Sequence, residues 1–140
     1  MMNVETTKTP EGPPTDPLIG SLVSGKYQVV ELVARGGMSR IYRAIQQPLD
    51  RVVALKVLES PSIEMGNERA AFRSQFLVEA STCAKLRHPN TVTVFDYGVL
   101  DDTDALYMVM EFVEGRNLAR ELTQGPIRPE RAVRIAFEVC

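Results

Sequence analysis

The residues best placed to do chemistry in this chain are two adjacent glycines, Gly36 and Gly37, within LVARGGMSRIYRA, and a lysine, Lys56, within VALK. The residues around them favour strands. Glycine weakens a strand unless the backbone must turn tightly or come close to something. Backbone amides with no side chains in the way can face the oxygens of a phosphate, so a glycine hairpin folded over a nucleotide is one reading. A structural β-bulge accounts for the glycines at least as well. An unpaired ammonium in the middle of a buried strand costs on the order of several kcal/mol, so Lys56 wants an anionic partner, either a carboxylate or a phosphate. Glu79, beside Ala80, could supply the carboxylate. Lys56 could also form a purely structural ion pair or carry its ammonium out to solvent.

Two other phosphate-binding patterns fail. A dinucleotide fingerprint needs a helix straight after its glycines and an acidic residue about 20 positions on, whereas SRIYRAI reads as another strand. A Walker-type loop ends in Lys-Ser or Lys-Thr, and no such pair follows.

The elements that must position these residues follow from periodicity. YQVVELVA and SRIYRAI have apolar residues in near alternation and form a hairpin with the glycines at its bend. QPLD marks a turn, and RVVALKVL is a third strand with Val53, Leu55 and Val57 on one face and Lys56 on the other. In ERAAFRSQFLVEASTCAKLRH the residues Phe72, Phe76, Ala80, Cys83 and Ala84 fall on one helical stripe, with Glu79 at its edge. Pro89 ends that helix, and TVTVFDYG and ALYMVMEFV give two more strands around a DDTD turn. The expected fold is α+β: five antiparallel strands with one helix after the third. NLARELTQ and PERAVRIAFEVC then turn helical, the second opening on a proline suited to a first helical position.

Composition sets wider limits. With 44% hydrophobic and 24% charged residues over 140 positions, the chain has the make-up of about one soluble domain. Residues 1–17 hold four of the nine prolines and few large apolar side chains, and a disordered tail is expected over 1–24. A net charge of -2 argues against nucleic acid as a partner. Apolar runs such as ALYMVM are too short to span a bilayer, so no membrane segment is expected. Cys83 and Cys140 make neither a disulfide framework nor a metal spacing, which favours a cytoplasmic setting.

Five stretches taken together resemble the amino-terminal lobe of a bacterial, eukaryotic-like serine/threonine protein kinase: VARGGMSRIY, VALK, FLVEA, RHPN and YMVMEFVEGRNL, in that order. The resemblance implies a lobe over 25–112, followed by a hinge and the first helices of a second lobe over 113–140. It implies that ATP, with Mg2+, is the cofactor and that proteins bearing serine or threonine hydroxyls are the substrates of the complete enzyme. It also admits self-association of the lobe. By resemblance, the flap of Val33, Ala34, Arg35, Gly36, Gly37, Met38 and Ser39 covers the phosphates, and Lys56 holds them and pairs with Glu79. Val33, Ile41 and Ala54 sandwich the adenine. Met110 stands at the back of the site, Glu111 and Val113 offer main-chain hydrogen bonds to the adenine edge, and Asn117 lies near the ribose. Cys83 and Val94 fall where the family packs small or apolar residues behind the site.

The chain departs from the G-x-G-x-x-G pattern, with Ala34, Gly36 and Ser39 at those places. If the first place needs a positive φ, alanine there costs about 1–2 kcal/mol. Asp96, Tyr97 and Gly98 imitate the family's D-F-G but precede the hinge, so they are expected to be a turn at a strand end. His88, the single histidine, is expected to fix the RHPN loop. No H-R-D or D-F-G occurs in these residues, so they are expected not to transfer phosphate alone, and Val133, Ala136 and Phe137 are expected to lack cover. The alternative function is a non-catalytic, pseudokinase-like interaction module.

Overall fold

The computed structural model describes residues 16–59, 66–100, 103 and 105–139. Six strands form one antiparallel sheet: β1 (Leu22–Val23), β2 (Tyr27–Arg35), β3 (Ser39–Gln46), β4 (Arg51–Leu58), β5 (Val94–Val99) and β6 (Leu106–Glu111), in the order β1-β2-β3-β4-β6-β5. Helix α1 (Gly66–Lys85) follows β4 and lies on β5 and β6; α2 (Leu118–Leu122) and α3 (Pro129–Val139) follow the sheet. Five of the strands are those the alternation predicts. The sixth, β1, has two residues, too few for any periodic signal.

Register assigns the two faces of the sheet. Leu55 pairs with Tyr42 on β3 and Val109 on β6, and these three with Val29, Ala44, Val53 and Val57 make the main core. The adjacent row, Ile41, Lys56 and Met108, faces the other way. A smaller core of Phe76, Ala80 and Leu106, with Phe72, Leu77, Tyr97 and Met108 packed around it, joins α1 to that second face. Of the predicted helical stripe, Phe76 and Ala80 are buried, Phe72 and Cys83 are half-buried, and Ala84 is exposed because the helix leans on its earlier turns.

Residues 16–24, placed with the tail on composition, are ordered, and the expected boundary at 24 is corrected for them. Leu18 and Ile19 pack on the main core, Gly20 donates its N–H to the Val29 carbonyl (2.9 Å), and Val29 returns one to Ser21 (2.9 Å). Composition alone cannot register a segment that is stabilised by lying along another strand. Residues 1–15 fall outside the described residues. On α3, Val133 and Phe137 are 69% and 84% exposed, so its apolar side is uncovered among the described residues.

Two tyrosines tie the main core to the pH scale. Tyr27 is buried and its hydroxyl donates to Asp96 Oδ2 (2.8 Å); burial, then the Asp96 carboxylate, push its pKa well above its ordinary value. Burial also pushes Tyr42 up; Arg40 opposes this and Asp16 adds to it. Each ionises in the unfolded chain at about pH 10 and later in the folded protein. The unfolded state then binds fewer protons, so stability is full below about pH 10 and falls above it, by about 1.4 kcal/mol per pH unit for Tyr27. Urea midpoints measured from about pH 8 to about pH 11 should show that fall, and Tyr27→Phe should make it shallower.

Candidate active site

The glycines sit in the turn between β2 and β3, where the Gly36 N–H donates to the Ser39 carbonyl (2.7 Å). They are not the bulge. The register slips instead at Val30, between Val29 and Glu31, and at Val33, between Leu32 and Ala34. Each slip adds a residue to β2 and increases its twist, while β3 stays in register with β4 as far as Ser39 opposite Leu58, and the Met38 carbonyl accepts from the Glu59 N–H (3.1 Å). Val33 stands in the second bulge and is 51% exposed. Ala34 pairs with Ile41 as ordinary strand, and the only non-glycine positive φ values among the described residues are at Ser24 and Asp50. The feared cost of alanine at that place is therefore absent.

Gly37 needs no side-chain-free conformation of its own. Its φ is not left-handed, and a Cβ built there meets nothing within 4 Å. The fold does not require glycine at this point; of the turn amides, that of Gly36 is already committed to the Ser39 carbonyl.

On the strand next to the hairpin, Lys56 stands between Ile41 and Met108, and one pleat along, Ala54 stands beside Met110, which pairs in turn with Val94. Ile41, Ala54, Lys56 and Met110 therefore share one face of the sheet. Met108 belongs to the same row and was missed, although the alternation in YMVME could have found it. Lys56 is half-buried, as expected for a lysine on the sheet face.

The predicted Lys56–Glu79 pair is not formed, and this corrects the resemblance. Glu79 is exposed and accepts a hydrogen bond from Gln75 Nε2 one turn earlier on α1 (3.0 Å); Lys56 has no ion pair among the described residues. The physical reason lies in how α1 is seated. Its buried contacts, Phe76 and Ala80, are directed to β5 and β6, which leaves Glu79 on the rim of the packed stripe.

At the far end of the face, Glu111 ends β6, its N–H donating to the Thr93 carbonyl (2.9 Å). Val113 lies just beyond the strand, 67% exposed, and neither its N–H nor its carbonyl is engaged among the described residues. Asn117 caps α2, its Oδ1 accepting from the Arg120 N–H (2.8 Å), so its carboxamide oxygen already has a structural task.

Two look-alikes resolve into structure. Asp96, Tyr97 and Gly98 lie inside β5, not in a turn: Asp96 holds the Tyr27 hydroxyl, and Gly98 lies under the Tyr107 ring, where a Cβ would come within 2.8 Å of the hydroxyl oxygen. His88 fixes its loop, with Nδ1 accepting from the Asn90 N–H (3.2 Å) and its carbonyl accepting from Thr91.

Comparison with known proteins gives the family and the fold. Residues 27–140 match the protein kinase domain. The chain is 39% identical over 128 residues to the serine/threonine-protein kinase pkn3 of Myxococcus xanthus, covering 91% of this chain and 22% of that protein. It is 37% identical over 123 residues to the serine/threonine-protein kinase PrkC of Bacillus subtilis, covering 87% of this chain and 18% of that protein. The crystal structure of the Mycobacterium tuberculosis PknI kinase domain superposes with a TM-score of 0.71 at 27% identity, over 86% of this chain and 47% of that one. The chain thus spans about a fifth of the length of these curated relatives and about half of a solved kinase domain. Matched along its length in sequence and in fold, the chain belongs to the protein kinase domain family, among its bacterial serine/threonine members.

Proposed function

We propose that this chain is the ATP-binding part of a serine/threonine protein kinase that, in complete form, moves the γ-phosphoryl group of ATP to protein hydroxyls. The observation that carries this reading is the row of Ile41, Lys56 and Met108 with Ala54 and Met110 beside it, on one face of the sheet, next to a hairpin whose Gly37 the fold does not need. The apolar members suit a flat heterocycle. Lys56 supplies the one cation of that row for phosphate oxygens, and the turn amides add donors. Val113 and Glu111 are the main-chain partners for the adenine edge, and Asn117 is left with a cap to maintain. Mg2+ would enter with the nucleotide; among the described residues no group of three or more His, Cys, Asp or Glu is gathered to hold a metal, so no ligand for it is assigned here.

Calorimetric titration with ATP tests the reading. The chain should bind, and Gly37→Val should weaken binding about tenfold, a loss of about 1.4 kcal/mol, while its melting temperature stays close to that of the parent. Equal affinity in the two proteins would remove the turn from the site.

A further inference from the structure

The most enclosed charged group among the described residues lies away from the row of Ile41, Lys56 and Met108. Asp16 is 6% exposed. Its Oδ1 accepts from the Tyr42 hydroxyl (3.0 Å) and the Leu18 N–H (3.2 Å); its Oδ2 accepts from Arg35 (3.2 Å) and from Arg40 (3.2 Å). Arg40 turns its other terminal nitrogen to Glu59. Burial pushes the Asp16 carboxyl up, but the Leu18 N–H, the Tyr42 hydroxyl and the two guanidiniums outweigh it and hold the pKa below its ordinary 3.8.

The place of the two arginines gives this cluster its meaning. Arg35 is the last residue of β2 and Arg40 the second of β3, and they are direct cross-strand partners at the mouth of the glycine turn. Like charges directly opposite one another repel and splay a hairpin. Asp16 places a buried carboxylate against both. The β2 arm of the hairpin end lies beyond the Val30 and Val33 bulges, where its ladder to β3 is interrupted, whereas the β3 arm stays in register with β4 as far as Ser39, so it is the β2 arm whose pitch the ladder alone does not set. The segment that carries Asp16 is itself anchored further along β2, through Gly20 and Ser21 on Val29 and through the pairing of Val23 with Tyr27. One short strap thus grips β2 near its start and clamps its end.

We propose that Asp16 is a positioning residue for the glycine hairpin: acting through Arg35 and Arg40, it holds the flap at a fixed pitch over the cleft. Its consequence for nucleotide affinity rests on the function proposed above, but the clamp itself does not.

Hydrogen exchange followed by mass spectrometry on the ligand-free chain tests it, comparing peptides over residues 33–41 with peptides over β4. Asp16→Asn should speed flap exchange about tenfold or more while β4 keeps its protection, because only the local opening is made easier. Adding Arg35→Gln to that variant should return part of the protection, since it removes the cross-strand repulsion. A merely structural Asp16 would give no such recovery. Asp96→Asn, which breaks a hydrogen bond to Tyr27 at the opposite end of β2, should leave the flap unchanged. Should Asp16→Asn not fold, Arg35→Gln alone, at an exposed arginine, still breaks one arm of the clamp and should speed flap exchange about threefold. Unchanged flap exchange in the Asp16 or Arg35 variants, or flap and β4 loosening together, would overturn the proposal. Exchange is read without nucleotide, so a parent chain that bound no ATP would remove the functional reading and leave the flap result standing.

Discussion

Under the function proposed above, Lys56→Met in the complete protein is expected to lower phosphoryl transfer by about a hundredfold or more, while the thermal midpoint moves by a few degrees at most. The first half follows from position. Lys56 is the only charged member of the row it shares with Ile41 and Met108, on the strand next to the glycine hairpin, and a preorganised cation at a phosphate acts where charge is redistributed during transfer. The second half follows from its lack of partners. Lys56 makes no ion pair among the described residues, so replacing its ammonium by a thioether of similar length breaks no charge-assisted bond and removes a desolvation cost. Transfer assays beside a melting curve check both halves. Activity retained within about tenfold of the parent would show that the phosphates are held elsewhere.

Leu55→Ala, one residue away, is expected to do the opposite. Leu55 is fully buried between Tyr42 and Val109 at the centre of the main core. Truncating it removes its transfer free energy and leaves a cavity that rigid strands on both sides cannot close, a loss of about 3–5 kcal/mol. Against a typical total of about 5–15 kcal/mol, that is a large share of the stability. Urea unfolding of the variant should show a midpoint shifted well down with an unchanged slope. A shift of under about 1 kcal/mol would mean that the core collapses around the gap, contrary to the close packing of the three central strands. Adjacent residues on one strand thus separate function from stability, because successive side chains in a strand point to opposite faces.

That alternation is the part of the protein the sequence determined by itself. VALK within RVVALKVL sets Leu55 into the core and Lys56 onto the other face before any contact is known, and the same alternation in YMVME puts Met108 and Met110 on one side of their strand, although only the register sets Met108 opposite Lys56 and Met110 opposite Ala54. The strands from β2 to β6, the helix between β4 and β5 and the proline-opened last helix were legible for the same reason: each carries a local period, or a local stop, in its own residues. What only the tertiary structure decided are the features that depend on a partner distant in sequence. The bulges at Val30 and Val33 exist only as a mismatch with β3. The seating of α1 on β5 and β6 leaves Glu79 with Gln75 rather than with Lys56. Asp16 looks like part of a proline-rich tail until Arg35, Arg40 and Tyr42 are folded around it. A period in the sequence can name the face on which a side chain stands, but the choice between two reachable partners is made by packing energy summed over the whole sheet.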